Sequence, residues 1–251
     1  MLSADKLSLN AGAAQLLQDI DLQLAAGEMM VVLGPNGAGK SSLLSLLSGL
    51  RAPDSGSVTL ERKPLSELEP ELRARKLAMY TQQQPLNFPF TVEQVIALGC
   101  YPLALSVGQA REQVRLCLQQ LELEAFAARE YTSLSGGERQ RVQLARVLAQ
   151  VGPQCQLLLL DEPVSEMDLK HQQMVMGLLR QLAGRGVAVI CVLHDLNLAA
   201  QYAGQVTLLQ QGRLVASGPR AEVMTEARLS ELYQLPVRCI ENDYYPVFVS
   251  G

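Results

Sequence analysis

The chain has 251 residues, 48% of them hydrophobic, which suffices for one large α/β domain or two small ones. Its formal net charge of −4 provides no basic field, so we expect no nucleic-acid partner. Five cysteines without paired spacing indicate single structural thiols in a reducing compartment. Asp5 stands where a secretory peptide has its apolar core, and no apolar window approaches about 18 residues. We therefore expect a cytosolic chain that meets a membrane only through a partner.

Strand-like segments occur at both ends of the chain, on either side of a helical stretch. Short runs of apolar and β-branched residues predict strands at Ile20–Leu24, Met29–Leu33, Val58–Leu60, Leu77–Thr81, Leu157–Leu160 and Val187–Leu193, and a hairpin of Val206–Leu209 with Leu214–Ala216. From Thr91 to Leu148 the apolar spacing is mostly helical. We therefore expect one domain with an inserted helical lobe.

A glycine-rich segment follows the strand Met29–Leu33 and leads into a leucine-rich helix. Its spacing is that of a P-loop, in which backbone N–H groups surround phosphate oxygens. We expect Lys40 to reach the β- and γ-phosphates and the Ser41 hydroxyl to ligate Mg²⁺. The predicted phosphate-binding residues are Gly34, Pro35, Asn36, Gly37, Ala38, Gly39, Lys40, Ser41 and Ser42.

A second anion-binding arrangement lies in the helical stretch, where a serine and two glycines open a helix. We call this motif the signature; its residues are Leu134, Ser135, Gly136, Gly137 and Glu138. Ser135 is expected to cap the helix, and the glycines allow close backbone approach to a γ-phosphate. One nucleotide does not need both motifs from one subunit, so the sequence indicates a second subunit.

Reactive side chains follow two of the later strands. Asp161 and Glu162 come after Leu157–Leu160, at the strand edge where open α/β sheets bind ligands. We expect Asp161 to hold Mg²⁺ and Glu162 to polarise the water that attacks the γ-phosphate; the alternative is an N-terminal cap for the next helix. His194 follows Val187–Leu193, and we expect its imidazole to approach the γ-phosphate and the attacking water.

The P-loop, the signature, the acid pair and His194, in this order and spacing, resemble those of the ATP-binding-cassette ATPases over almost the whole chain. The resemblance implies an α/β fold: a P-loop NTPase (RecA-like) core with a mostly parallel sheet, an antiparallel β part and an inserted helical subdomain. It also implies Mg²⁺-dependent ATP hydrolysis. The expected single domain, residues 1–251, comprises a nucleotide-binding core (1–84 and 150–225), a helical subdomain (85–149) and a C-terminal tail (226–251).

The resemblance also implies roles for residues outside these motifs. Gln82 corresponds to the Q-loop glutamine, which contacts Mg²⁺ and links the site to the helical subdomain. Ser165 and Asp168 are kept in the D-loop, where Ser165-Glu166-Met167-Asp168 replaces the usual Ser-Ala-Leu-Asp. In this family the signature and the P-loop face each other only between two subunits packed head to tail, so we expect a homodimer with two ATP molecules between its subunits.

Adenine recognition departs from the family pattern. The family commonly stacks adenine on an N-terminal tyrosine, whereas no aromatic residue precedes Tyr80 in this chain. Leu9 occupies the approximate place of that tyrosine. We therefore expect weaker and less selective base recognition that depends mainly on phosphate contacts.

One cassette per chain and a helical lobe directly after Gln82 resemble the separate ATPase of a bacterial importer. This implies a peripheral position on the cytoplasmic face of the inner membrane, with two integral membrane permease subunits and, indirectly, a periplasmic substrate-binding protein. In finer detail, Phe88–Val92, Leu144–Gln150 and Cys191–Ala200 are similar to the hemin-import ATPases. Cobalamin and ferric-siderophore importers are the alternatives, and Gln82–Gln84 resembles the cobalamin branch.

A cassette ATPase without a transporter, such as an iron–sulfur assembly factor, would keep every motif above. A P-loop kinase is a third alternative, but it would leave the signature without a role. The discriminating surface is Phe88–Tyr101, where an importer ATPase must receive a short helix of its membrane partner. Phe88 and Phe90 are either docking residues or core residues, and from the sequence alone we favour core.

Overall fold

The computed structural model describes residues 1–12, 14–81, 86, 88–241 and 243–250. Twelve strands lie within these residues: β1 (Leu2–Ala11), β2 (Ala14–Leu24), β3 (Met29–Leu33), β4 (Ser55–Leu60), β5 (Lys63–Pro64), β6 (Leu77–Tyr80), β7 (Leu157–Asp161), β8 (Ala188–Val192), β9 (Gln205–Gln210), β10 (Arg213–Pro219), β11 (Val237–Ile240) and β12 (Val247–Ser250). The same residues contain nine α-helices: α1 (Lys40–Leu47), α2 (Pro70–Lys76), α3 (Val92–Ala97), α4 (Val107–Gln120), α5 (Gly136–Ala149), α6 (Leu169–Gly184), α7 (Leu196–Tyr202), α8 (Arg220–Val223) and α9 (Glu226–Tyr233).

A six-stranded sheet carries the P-loop and both reactive strand ends. Its order is β10-β9-β3-β8-β7-β6, and every neighbouring pair is parallel except β9 with β10. Because β3, β7 and β8 are parallel neighbours, their carboxyl ends meet at one edge of the sheet. A second, antiparallel sheet has the order β2-β1-β4-β5. The predicted fold class is therefore confirmed.

The central sheet is covered on both faces. Strand β3 shows this directly: Met30 and Val32 pack with α1 and the antiparallel sheet, whereas Val31 and Leu33 pack in the cluster that contains α5 and α6. All five residues of β3 are buried. A strand buried on both faces has a continuous apolar sequence instead of an alternating one, as seen at Met29–Leu33.

The helical stretch begins after β6 and ends before β7. Three of its helices start with a reciprocal capping box, formed by Thr91 with Gln94 at α3, Ser106 with Gln109 at α4, and Ser135 with Glu138 at α5. Each box satisfies two backbone N–H groups at a helix start, those of the N-cap residue and of the third helical residue. The helices α3, α4 and α5 share one apolar cluster with the central sheet. The subdivision at residues 84, 149 and 225 stays a prediction.

Several boundaries differ from the sequence-based expectation. The hairpin β9–β10 is confirmed, and it turns on Gln211 and Gly212, whose positive φ angles of 48° and 75° suit a tight hairpin turn. Strand β1 was not predicted as a separate strand, because bulges interrupt its pairing and hide its alternation. The region predicted as a C-terminal tail contains α9 and the β11–β12 hairpin, which bury Leu229 and Phe248 in the main core.

The interpretation of Phe88 and Phe90 as core residues is wrong. Phe88 is 64% exposed and Phe90 is 37% exposed, and their ring centroids lie 5.9 Å apart. The backbone of Phe90 is nevertheless fixed, because its carbonyl accepts a hydrogen bond from the Tyr131 N–H group. Two neighbouring rings are therefore held on the surface.

None of the described helices has both the length and the apolarity needed to span a bilayer.

Candidate nucleotide site

The P-loop connects β3 to α1. At two of its positions the backbone leaves no room for a Cβ atom, so only glycine fits there. Gly34 has φ +157°, and a Cβ atom there would lie 2.1 Å from the Leu209 carbonyl oxygen. Gly39 has φ +101°, and a Cβ atom there would lie 2.8 Å from the Leu16 carbonyl oxygen. No side chain of the described residues caps α1 at Gly39. The first-turn N–H groups of α1 are therefore left for an anionic ligand.

Lys40 lies at the start of α1, and its ammonium group closes the loop. Its Nζ donates hydrogen bonds to the carbonyl oxygens of Gly34 and Pro35, at 2.8 and 3.0 Å. Burial lowers the pKa of Lys40, whereas the nearby carboxylates of Glu162 and Asp161 act to raise it. The side chain thus holds a positive charge between the loop and two acids.

Asp161, the last residue of β7, fits the role of a metal ligand. Burial raises the pKa of its carboxyl group, and a hydrogen bond with the Ser41 side chain is the main opposing influence. Its Oδ1 atom is buried and has no hydrogen-bond partner among the described residues. Carboxylate and hydroxyl oxygens are donors that Mg²⁺ accepts, usually together with water and phosphate oxygens. Asp161 and Ser41 are therefore a suitable pair of ligands for Mg²⁺. The described residues contain no cluster of three or more Asp, Glu, His or Cys side chains that could hold a metal ion.

Glu162 and His194 meet at the ends of adjacent strands. The Oε1 atom of Glu162 lies 2.5 Å from the Nε2 atom of His194. Glu162 has a positive φ of 53°, a conformation that costs a non-glycine residue about 1 kcal/mol and is common at functional sites. Its N–H group donates to the Val192 carbonyl, which fixes the backbone beside β8. The predicted catalytic pair is thus brought together.

The alternative role of the acid pair as a helix cap is wrong. Helix α6 is capped by Asp168, whose Oδ1 accepts the His171 N–H group at 2.9 Å. Asp168, predicted as a D-loop residue, therefore has a structural contact. The Nδ1 atom of His171 lies 2.8 Å from the same carboxylate oxygen.

The signature opens α5 as predicted. The Ser135 hydroxyl accepts a hydrogen bond from the Glu138 N–H group, and the Glu138 carboxylate accepts the Ser135 N–H group at 2.8 Å. Gly136 and Gly137 lie against Glu166: Cβ atoms there would be 2.6 Å from its Oε2 and 2.8 Å from its carbonyl oxygen. In the described structure the signature thus contacts the D-loop of its own chain, and no described hydrogen bond joins it to the P-loop.

Gln140 is a site residue that the sequence did not reveal. Its Nε2 donates to the Glu162 carbonyl oxygen and to the Ser165 hydroxyl, both at 3.1 Å. Its Oε1 accepts the Glu166 N–H group at 2.9 Å. This buried amide therefore connects the signature helix to Glu162 and to the segment that follows it. A lone glutamine two residues beyond Glu138 gave no sequence signal.

Another predicted feature turns out differently. Leu9, in β1 of the antiparallel sheet, is 2% exposed and packs in the apolar cluster that contains α1, so its identification with the adenine site is wrong. Arg141, three residues after Glu138, is also buried, and it donates to the Leu121 and Glu122 carbonyls. Gln82, assigned to catalysis and to Mg²⁺, lies outside the described residues.

Known proteins resemble this chain in sequence and in structure. A family model described as ABC transporter matches residues 17–165. Hemin import ATP-binding protein HmuV of Pseudomonas putida is 46% identical over 239 residues, which cover 94% of each chain. Its counterpart in Photobacterium damselae subsp. damselae is 41% identical over 254 residues, covering 99% of this chain and 96% of that protein.

Solved structures show the same fold. A transporter described as of metal-chelate type, in an inward-facing conformation, has a TM-score of 0.83 at 28% identity and covers 100% of this chain and 96% of its own. A dimeric ATP-binding cassette in a post-hydrolysis state, bound to ADP and Pi, has a TM-score of 0.77 at 28% identity. The match covers 87% of this chain and 98% of that one. The chain therefore belongs to the ABC transporter family and is one of its ATPase subunits.

Proposed function

We propose that this chain is the ATP-hydrolysing subunit of a bacterial importer that takes up hemin across the inner membrane. The observation that carries the proposal is the similarity, over nearly the whole chain, to proteins from different bacteria that share the name hemin import ATP-binding protein, at 41–46% identity. The cargo does not touch a nucleotide site, so this assignment depends on relatives and not on the geometry of the site.

The site residues have distinct roles in the proposed hydrolysis. Lys40 binds the β- and γ-phosphates through its charge, and the P-loop N–H groups orient them. Ser41 and Asp161 would hold Mg²⁺, which would supply positive charge to the phosphate oxygens. Glu162 accepts a hydrogen bond from the attacking water and polarises it. His194, held at 2.5 Å from Glu162, positions that carboxylate and the γ-phosphate.

A second copy of the chain completes each site. Ser135, Gly136 and Gly137 present a helix N-terminus that suits the γ-phosphate of an ATP molecule bound to the partner's P-loop. We therefore propose a head-to-tail homodimer with two ATP molecules at its interface. The dimeric neighbour bound to ADP and Pi supports this arrangement.

An exposed apolar surface suits the membrane partner. Phe88 and Tyr101 are 64% and 90% exposed, and Leu98 is also exposed. Phe90, Leu98 and Tyr101 line a surface cavity of about 470 Å³. Large exposed apolar patches mark interaction sites. We propose that one permease subunit binds this surface on each chain of the dimer, so that the complex contains two permease subunits. This contact would hold the ATPase at the cytoplasmic membrane face. A periplasmic binding protein would deliver the cargo.

Growth of a deletion strain tests the proposal. The strain lacking this gene should fail to use hemin as its iron source, and the wild-type gene should restore growth. Growth on inorganic iron should be unchanged. Loss of cobalamin or ferric-siderophore use with intact hemin use would overturn the hemin assignment in favour of a related importer. A defect in iron–sulfur enzymes on every iron source would instead indicate an assembly factor.

A further inference from the structure

The C-terminal segment, residues 226–241 and 243–250, has no role in the motifs that define the nucleotide site. It is nevertheless folded onto the catalytic core. Leu229 and Leu232 of α9 and Phe248 of β12 are buried in the same cluster as the central sheet. Two of its contacts reach the segments that carry site residues. Its position therefore links it to the catalytic strand ends.

The first contact fastens β12 to α7. The Asn197 side chain donates from Nδ2 to the Phe248 carbonyl oxygen at 3.2 Å and accepts the Phe248 N–H group on Oδ1 at 2.7 Å. An amide side chain that pairs with both backbone groups of one residue imitates a strand partner. Two such hydrogen bonds fix the distance and the orientation of Asn197 relative to β12.

Asn197 is three residues beyond His194, and the chain between them is held tightly. Asp195 caps α7 by accepting the Asn197 and Leu198 N–H groups, at 2.7 and 3.1 Å. The start of α7 therefore cannot move without moving the segment that presents His194. His194 in turn meets Glu162 at 2.5 Å. A continuous series of short contacts leads from Phe248 to the catalytic carboxylate.

The second contact reaches the P-loop. The buried hydroxyl of Tyr233, the last residue of α9, lies beside the backbone of Gly34 without a well-aligned hydrogen bond to any described residue. Gly34 is also the residue whose carbonyl oxygen accepts the Lys40 ammonium group. The C-terminal segment thus touches both the loop that binds phosphate and the helix that follows His194.

We propose that the C-terminal segment is a positioning element of the ATPase. In this proposal Asn197 is the residue that holds the His194 imidazole at its contact with the Glu162 carboxylate. This inference depends on the roles of Glu162 and His194 proposed above and not on the identity of the cargo. Asn197 touches no reacting atom. Its effect on the reaction passes through the position of the imidazole ring.

Steady-state ATPase kinetics of the full chain test the proposal. Asn197→Ala removes both bonds to Phe248 and should lower kcat about five- to tenfold, while KM for ATP changes by less than about twofold. The matched control is Gln201→Ala on the same helix. Gln201 accepts a hydrogen bond from Gln173 and does not pair with β12 in the described structure. This control should stay within about twofold of wild type in both parameters.

The decisive comparison repeats Asn197→Ala in a His194→Ala background. If Asn197 acts through the imidazole, the second substitution should change kcat less than about twofold there, because coupled residues are not additive. An equal fold-loss in both backgrounds, or wild-type kcat for Asn197→Ala alone, would overturn the positioning role. Wild-type kcat for His194→Ala would overturn the proposed role of His194 as well.

Folding is checked separately by thermal unfolding of each variant. If Asn197→Ala does not fold, the same comparison is made with Asn197→Asp, which keeps an acceptor for the Phe248 N–H group and replaces the donor by a charged oxygen. A loss of kcat with Asn197→Asp that disappears in the His194→Ala background supports the proposal. A loss that persists there overturns it.

Discussion

Glu162 and His194 approach to 2.5 Å although they are 32 positions apart in the chain. The contact exists because β7 and β8 are parallel neighbours, with Asp161 in register with Val192. Glu162 directly follows β7 and His194 is the second residue after β8, so both lie at the same edge of the sheet. The carboxylate of Glu162 therefore has an oriented partner within its own chain. This preorganisation is what a residue that polarises water requires.

Replacing the carboxylate should separate binding from hydrolysis. Glu162→Gln keeps the size of the side chain and its contact distance to His194, but the amide is a much poorer base. We expect kcat to fall about 10²- to 10³-fold with ATP affinity nearly unchanged, and an ATP-bound dimer to accumulate in size-exclusion chromatography. The control is Glu69→Gln at an exposed position, which should behave as wild type. Near wild-type turnover of Glu162→Gln would remove this residue from its assigned role.

Replacing Lys40 should affect binding first. Lys40→Ala deletes a charged hydrogen-bond donor to phosphate. It also removes the two hydrogen bonds from Nζ to the carbonyl oxygens of Gly34 and Pro35, which stabilise the P-loop. We expect ATP to bind about ten- to a hundredfold more weakly in isothermal titration calorimetry. Lys63→Ala, at an exposed residue of β5, should bind ATP normally. Equal affinities for the two variants would show that Lys40 does not contact the phosphates.

The motifs of the candidate site can be found in the sequence, whereas the residues that support them cannot. The motifs of the P-loop, the signature and the strand ends carry their spacing in consecutive residues, so the local sequence is sufficient to find them. Gln140 could not be found in this way, because its partners Ser165 and Glu166 are more than 20 positions away and meet it only after folding. The same holds for Asn197 and Phe248, which are 51 positions apart.

Leu9 and Phe88 show the limits of reading single residues. Both were interpreted from residue type and approximate position, and the structure reverses both: Leu9 is buried and Phe88 is exposed. A leucine in a bulged strand and a phenylalanine beside a proline carry no local pattern that determines which face meets solvent. Burial there is decided by packing between distant elements, which a single sequence does not display.

A mixture of two inactive variants should regain activity if each site is shared between subunits. Lys40→Ala disables the P-loop, and Ser135→Arg places a bulky cation at the start of α5. In a mixed dimer, one site combines both defects, while the other has an intact P-loop and an intact signature. An equal mixture should therefore reach about a quarter of wild-type ATPase activity, assuming random pairing and independent sites. Activity no greater than the sum of the separate variants would contradict head-to-tail pairing.

Buried thiols should make the fold sensitive to alkali. Burial raises the pKa of Cys117 from 9.0 to about 12 and that of Cys155 to about 11. Between about pH 9 and 12 the unfolded chain releases the Cys117 proton while the folded chain retains it. The free energy of unfolding should therefore fall as pH rises, by about 1.4 kcal/mol per pH unit for a fully shifted thiol.

Urea unfolding at several pH values, under reducing conditions, checks this behaviour. Cys117→Ala should flatten the decline above about pH 9 relative to wild type, whatever its effect at neutral pH. Cys239→Ala, at a partly exposed position, should flatten it less. An unchanged slope for Cys117→Ala would show that this thiol ionises as readily in the folded chain as in the unfolded one.

The exposed ring of Phe88 should matter for transport and not for hydrolysis by the isolated chain. Phe88 is 64% exposed, so Phe88→Asp places the new charge in solvent. Folding and basal ATPase activity should therefore be nearly unchanged. Burying that charge against an apolar partner would be costly, so permease binding and growth on hemin should be lost. Val215→Asp, at an exposed position of β10, is the matched control and should support growth. If Phe88→Asp folds, hydrolyses ATP and still supports growth on hemin, the permease binds elsewhere on the chain.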